Sequence, residues 1–352
     1  MKNLHRTVLL IIAAALMHSP AFAEKPTASE IYNLTKTAKT SKDFSVIIEK
    51  CDAANEGVNS GTDDINALKA WALSKRGQQR VDLALSIRNA GNTPQFEAVI
   101  KAAMADFDQS IEIDDEKWKP YFGRATAFAN QDNIEKAISD LGRAIELNPK
   151  SMKAKFNRAE LLSWQKKFDA AILDYNVVID ADADDVQAIN GLAFAKLHSG
   201  KTDEAIKLLD RVVELQPDNT TAYQNRAEAH QAAGNWKLAH DDLTSSIGRN
   251  ATGDGYLKTA WLLSTCPNPD FFQPQNAMAL AKKGQSFDKD SVTTLEVMAA
   301  ASAANGEFET AVKLQQKAIL KVSTADHLRM DPEEMKIRLT AYQSAEVYLQ
   351  QK

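Results

Sequence analysis

Small apolar residues recur along the middle of the chain at a fixed step. Ala125, Ala159, Ala193 and Ala227 stand 34 residues apart, and so do Ala137, Ala171, Ala205 and Ala239, twelve residues further on. Ile134, Phe168, Thr202 and Trp236 keep the same step between the two sets. This period divides the chain without gaps into four units, 118–151, 152–185, 186–219 and 220–253. Two antiparallel helices per unit, the reading that the resemblance given below implies, explain the pattern by packing. The small residue at unit position 8 lets the first helix approach the second, and the one at position 20 lets the second approach the first. Larger residues at positions 4, 7, 11, 17 and 24 fill the spaces between; in the second unit these are Lys155, Arg158, Leu162, Phe168 and Tyr175. Asn148-Pro149 and Gln216-Pro217 fall between units, where proline ends a helix. Gly200 and Gly234 fall between the two helices of a unit, where a positive φ is useful.

The flanks read as worn copies of the same pattern. Ala28 to Gly61 aligns with Phe44 at position 17 and Cys51 at position 24. A longer pair follows from Asp64 to Asp115. Its first helix is expected from about Ile65 to Asn89, and its second opens with Thr93 as N-cap and Pro94 as first helical residue. That second helix carries Phe96, Val99, Ile100, Ala103, Phe107 and Ile111 at helical spacing. After residue 253 come helices at Tyr256–Thr265 and about Gln275–Gln285, joined by the proline-rich stretch Cys266–Pro274. A last good unit starts at Val292, and Asp331-Pro332 opens a final helix running to the C-terminus, with Arg338, Tyr342, Gln343 and Glu346 as a polar cap.

Two helices in 34 residues, with FGRA, FNRA, NGLA and QNRA in register, resemble the tetratricopeptide repeat. The resemblance implies an all-α, right-handed superhelical solenoid of about eight helix pairs plus a C-terminal capping helix. The segment Ala260–Asp270 with Val292–Ala318 is also similar to a tail module of secreted bacterial repeat proteins, notably of planctomycetes, and Ala70–Gly77 fits that group. The organisation expected is therefore a leader at 1–23, irregular pairs over 24–117, four regular units over 118–253, and an irregular pair, final repeat and cap over 254–352.

The leader is an address rather than a fold. Lys2 and Arg6 precede an apolar run from Val8 to Met17, and Ala21-Phe22-Ala23 places small residues at the −3 and −1 positions of a cleavage site. Ten apolar residues are too few to span a bilayer, which takes about 20. A mature chain starting at Glu24 and exported to the periplasm or beyond is expected. Export makes disulfides permissible, but Cys51 and Cys266 are 215 residues apart, and a solenoid makes local contacts; no pairing is expected.

Composition narrows the function. With 14 Gly and 10 Pro in 352 residues the chain is poor in helix breakers, and a net charge of −5 gives no generic attraction to nucleic acid or anionic membrane. None of the four histidines beyond the leader, His198, His230, His240 and His327, falls in a zinc signature. There is no nucleophile elbow, P-loop or dinucleotide fingerprint. Gly253-Asp254-Gly255 reads as a helix-capping turn. Asp182–Asp185 lacks the glycine and terminal glutamate of a calcium loop and falls on an inter-unit turn. Phe271-Phe272 either plugs the irregular pair or forms an exposed contact. No cofactor, metal or catalytic residue is expected.

In the repeat family the first helix of each unit lines the concave face through positions 2, 5, 9, 12 and 13. Carried over, this gives Lys119, Phe122, Thr126, Ala129 and Asn130; Lys153, Phe156, Glu160, Ser163 and Trp164; Gln187, Asn190, Phe194, Leu197 and His198; and Thr221, Gln224, Glu228, Gln231 and Ala232. Phe122, Phe156, Trp164 and Phe194 form an aromatic strip flanked by amides, placed either on the concave surface or back in the helix packing. The terminal-carboxylate clamp known in a chaperone-binding subclass needs Lys at position 5 and Asn at position 9. Phe122, Phe156, Thr126 and Glu160 stand there instead, and only Asn157 and Asn225 match its middle Asn. The expected function is a non-enzymatic scaffold or adaptor that binds a protein or peptide in its groove outside the cytoplasm. A carrier of an oligosaccharide or lipid, or an accessory subunit of an exported enzyme, are the alternatives.

Overall fold

The computed structural model describes residues 25–56, 62–322 and 331–350; the leader at 1–23 and His327 lie outside the described residues. Among the described residues there are seventeen helices and no strand. The chain divides into two compact units, one through Ala154 and one from Lys155.

The first unit opens with α1 (Ala28–Thr35) and α2 (Ser41–Asn55). Each is started by a capping box, Thr27 with Glu30 and Thr40 with Asp43, which satisfies donors at the helix N-terminus reciprocally. Ile31, Phe44, Ile47, Ile48 and Cys51 close a core with Ile65, Ala72 and Leu73 of α3 (Asp63–Asn89). Burial and the neighbouring Asp52 push the Cys51 thiol up to about 11, so it is an inert core group. Against α3 lies α4 (Thr93–Ile113). Its N-cap is Asn92, one residue earlier than expected, because the Asn92 carboxamide reaches the backbone N–H of Gln95 at 3.2 Å. Arg76 and Arg80 of α3 converge on the buried carboxylate of Asp106 in α4, each at 2.6 Å. The unit continues with α5 (Trp118–Asn130) and α6 (Ile134–Leu147). The Phe107 ring of α4 packs onto Gly123 of α5 so closely that a Cβ there would stand 2.4 Å from it.

The second unit holds α7 (Met152–Trp164), which begins just before it, with α8 (Phe168–Ala181), α9 (Val186–His198), α10 (Thr202–Leu215), α11 (Thr220–Ala232) and α12 (Trp236–Arg249). The first helices of the four repeats thus open at residues 118, 152, 186 and 220, and the second at 134, 168, 202 and 236. The turns between them carry a positive φ at Asp132, Lys166, Gly200 and Gly234, again 34 apart. Glycine is free to adopt this conformation, whereas a β-carbon makes it unfavourable by roughly 1–2 kcal/mol. Both Pro149 and Pro217 follow a helix that has already ended, at Leu147 and Leu215.

The large residue at position 7 is an arginine in three of the four repeats, Arg124, Arg158 and Arg226. Arg158 turns to Asp174 of its own repeat, Nε to Oδ2 at 2.7 Å and Nη2 to Oδ1 at 2.8 Å. Arg124 with Asp140 in the first unit and Arg226 with Asp242 in the second make the same fork. The aliphatic stem fills space while the guanidinium satisfies a carboxylate facing the helix interface.

Beyond residue 252 the second unit has α13 (Gly253–Thr265) and α14 (Pro274–Gln285), then α15 (Val292–Ala304), α16 (Phe308–Lys321) and α17 (Pro332–Gln343). Gly253-Asp254-Gly255 is the first turn of α13, capped by the Thr252 hydroxyl. The Cys266 and Cys51 thiols are both free and buried. Phe271 packs into a cluster with Trp236, Leu243 and Leu262, beside His240. α15 is buried at ten successive residues, Thr294 to Ala303. The final helix does not run to the C-terminus. It stops at Gln343, Ala345 takes a positive φ, and the chain returns so that Gln350 N–H donates to the Thr265 carbonyl at 2.8 Å. Nor do Arg338 and Tyr342 form a polar outer face: both are buried, and Met335 between the helices is fully so.

Candidate functional site

α7 ends at Trp164, turns through Lys166 and hands over to α8, while α9 stacks against α8 from the other side. Between them opens a cavity of about 800 Å³. Its floor and walls come from Phe156, Glu160, Ser163 and Trp164 of α7, Lys166 of the turn, Phe168 and Tyr175 of α8, and Gln187, Asn190, Gly191, Phe194 and His198 of α9; Asp331 and Glu334, at the start of α17, complete its rim. All of these residues belong to the second unit.

The rings on the cavity fall into two groups. Phe168 meets Phe194 edge-on at 6.2 Å and stacks with His198 at 5.6 Å, and Phe156 meets Tyr175 edge-on at 5.9 Å. Trp164 and Phe194 keep 38% and 42% of their surface exposed, whereas Phe156 is half-buried. Of the two placements open to the aromatic strip, Trp164 and Phe194 therefore stand on the cavity surface and Phe156 leans into the packing. Tyr175 is buried and donates its hydroxyl to Glu160. Burial, then the Glu160 charge, push its pKa up, so the phenol stays a donor. Gly191 makes room for this ring: a Cβ there would come within 2.5 Å of it. Burial lowers the His198 pKa below 6.5, opposed by Glu228 and reinforced by Lys166, so the imidazole is neutral at pH 7.

The structure brings together eight of the residues expected to line a groove: Phe156, Glu160, Ser163, Trp164, Gln187, Asn190, Phe194 and His198. Lys119, Phe122, Thr126 and Lys153 lie in the first unit. There Lys153 Nζ stands 5.7 Å above the Phe122 ring, the Thr126 hydroxyl donates to the Phe122 carbonyl, and Lys119 borders a smaller cavity of about 270 Å³ with Trp71 and Trp118. Glu228 is exposed on α11 and pairs with Lys258 at 3.8 Å. Gln224 does not face a groove. It is buried and donates to the Ser246 hydroxyl at 2.9 Å, because α11 turns this position toward α12.

Among the described residues no group of three or more His, Cys, Asp or Glu is placed to hold a metal ion, and no helix is long and apolar enough to cross a membrane.

No curated protein matches the chain in sequence. In fold it is similar to a tetratricopeptide repeat protein from Parabacteroides merdae, 17% identical over 78% of this chain and 96% of that one, with a TM-score of 0.50. It is likewise similar to yeast Tom70, 15% identical over 94% of this chain and 66% of that one, also with a TM-score of 0.50. The sequence pattern of the tetratricopeptide repeat matches residues 122–186 and 191–252. Those residues carry the 34-residue period, the paired helices and the turns described above. Over those residues the chain is built of tetratricopeptide repeats, a fold of protein-interaction scaffolds.

Proposed function

We propose that the protein is a non-catalytic scaffold acting outside the cytoplasm, and that the cavity walled by α7, α8 and α9 receives an extended segment of a partner protein. The observation that carries this reading is the exposure of Trp164 and Phe194 on one cavity wall beside the carboxamides of Gln187 and Asn190. Exposed aromatics are the side chains that dominate binding once a partner desolvates them, and carboxamides satisfy the backbone of an extended segment. The export part of the reading rests on the leader at 1–23. N-terminal sequencing of the exported protein should return Glu24 as first residue, and a membrane-retained chain with Met1 intact would refute it.

The partner is captured on the purified protein from its native host and identified. Trp164→Ala should then weaken its binding at least tenfold while the melting temperature moves little. A fall of several degrees in melting temperature, with binding lost only through unfolding, would return Trp164 to the core and sink the site.

A second reading has its own support. A cavity of about 800 Å³ lies within the range of small-molecule sites, and aromatic rings beside amides suit a sugar. Native mass spectrometry of the protein from its host separates the two: an oligosaccharide or lipid that co-purifies and is lost in Trp164→Ala favours a carrier.

A further inference from the structure

The rim of the cavity is built from two distant parts of the sequence. Glu160 comes from α7, while Asp331 is the N-cap of α17 and Glu334 stands in its first turn. Glu334 is partly neutralised by Arg338 of its own helix, at 3.3 Å. Glu160 accepts from the Tyr175 hydroxyl, which is uncharged, and Asp331 accepts from the backbone N–H of Glu333 at 2.9 Å as the N-cap. Lys166 is the cationic side chain on the lining, and His198 is neutral at pH 7. The cavity therefore holds an excess of negative charge, and a concave low-dielectric wall concentrates its field. Beside these carboxylates stand Trp164 and Phe194, both exposed. A ring face and a carboxylate together form the environment that a guanidinium or ammonium favours over water. The fold already contains one such arrangement: Arg338 lies 5.4 Å from the Trp261 ring and 2.8 Å from Glu296.

We propose that the cavity selects partner segments that carry an arginine or lysine next to an apolar residue, the cation taken up by Trp164 with Glu160 and Asp331 and the apolar neighbour by Phe194. This inference rests on the reading of the cavity as a partner-binding site.

The test pans a phage-displayed random dodecapeptide library against the full chain, in parallel with a Glu160→Gln/Asp331→Asn variant. Both substitutions keep the hydrogen bonds, since Gln still accepts from Tyr175 and Asn still caps a helix, and remove only charge. Recovered peptides should be enriched at least threefold in Arg and Lys over the unselected library, and the enrichment should vanish on the variant. A selected peptide made by synthesis should bind at least fivefold more weakly to the variant, and more weakly to wild type in 500 mM than in 50 mM salt. Lys166→Gly, which removes the opposing charge at a turn that glycine fits, should strengthen binding at least twofold. Recovery with no charge bias, or with an acidic bias, overturns the inference. If such unbiased peptides are lost on Trp164→Ala, the binding site stands and only the preference for cations falls. If they bind Trp164→Ala as well as wild type, or if nothing is recovered above the insert-free phage, the binding site falls with it.

Discussion

Arg158 and Asp174 face each other across the interface of α7 and α8 in a two-pronged contact, and sixteen residues separate them. The same spacing joins Arg124 to Asp140 and Arg226 to Asp242. In the remaining repeat both partners change together: Leu192 and Leu208 occupy the two positions, and Leu192 is buried. An ion pair and a leucine pair are thus interchangeable here, while a half-pair leaves a carboxylate facing an interface without its cation. Arg158→Ala should destabilise the protein by about 1.5–3 kcal/mol, the worth of hydrogen bonds to a charged group. Arg158→Leu/Asp174→Leu should recover to within about 1 kcal/mol of wild type. Denaturant unfolding of the single and double variants measures the coupling; additive losses would show that the pair does not act as a unit.

The cavity wall depends on a second compensation, between Tyr175 and Gly191. Phe107 and Gly123 repeat it in the first unit, whereas Leu209 is followed sixteen residues later by Asn225. A large ring at position 24 goes with glycine at position 6 of the next repeat, and leucine goes with a larger residue. Gly191→Ala should therefore overpack against the Tyr175 ring and cost roughly 1–3 kcal/mol, and Tyr175→Leu should restore much of that loss in the double variant. Thermal melts of the three variants check it. A Gly191→Ala protein as stable as wild type would mean that the ring has room to move.

The 34-residue step was enough to place the repeats, because small residues where helices touch leave a periodic trace, and the first helix of each repeat opens where the period puts it, at Trp118, Met152, Val186 and Thr220. The same step, with the groove positions that the resemblance supplies, locates eight residues of the cavity. It could not supply Asp331 and Glu334, since α17 is not part of the period and its approach to α7 and α9 is a tertiary event. The spacing gives Phe168 and Tyr175 a space-filling role, and both do pack, but each also lines the cavity. A signal for Tyr175 was present in the alternation with Gly191. Gln224 departs from the groove because family positions give the average direction of a side chain, and a carboxamide opposite the Ser246 hydroxyl finds its partner inside.

His230 ties stability to pH. It is buried on α11, 4.0 Å from Asp242, and its Nδ1 has no hydrogen-bond partner, so a proton there would be buried unpaired. Burial lowers its pKa below 6.5, aided by Arg226, although Asp242 and Asp210 pull it up. His198 is shifted in the same direction. A histidine whose folded-state pKa is depressed takes its proton first in the unfolded chain. The stability it provides is complete above pH 6.5, falls as the pH drops below that value, and stops falling beneath the folded-state pKa. The unfolding free energy from urea titrations should decline between pH 7 and pH 5, by at most about 1.4 kcal/mol per pH unit for each histidine. His230→Gln should show a shallower decline than wild type; an identical slope would assign the effect elsewhere.

Arg338 fixes the last helix, and with it the acidic rim of the cavity. Its guanidinium donates to Glu296 of α15 at 2.8 Å and lies within 5.5 Å of the Trp261 and Tyr348 rings; the Gln315 amide donates to the same Glu296 oxygen at 3.0 Å. Both members of the pair are almost wholly buried, at 5% and 8% side-chain exposure. Removing one leaves the other charged in a dry site, a loss on the order of 3–5 kcal/mol, while replacing both by apolar groups of similar volume is close to neutral. That loss falls on α17, whose other anchors are Met335 against Leu295 and Ala318, and Tyr342 against Ala299, Ala303 and Ala311. In Arg338→Ala, hydrogen exchange should lose protection over 332–343 while helices α8 to α12 keep theirs, since repeat folds pass damage only to neighbours. Glu296→Met/Arg338→Met should regain the protection. Once α17 lets go, Asp331 and Glu334 leave the cavity, so a cationic peptide should bind Arg338→Ala more weakly and the double-methionine variant nearly as well as wild type. Uniform loss of protection along the second unit would contradict this local attachment, and unchanged binding after α17 is released would leave the charge preference to Glu160 alone.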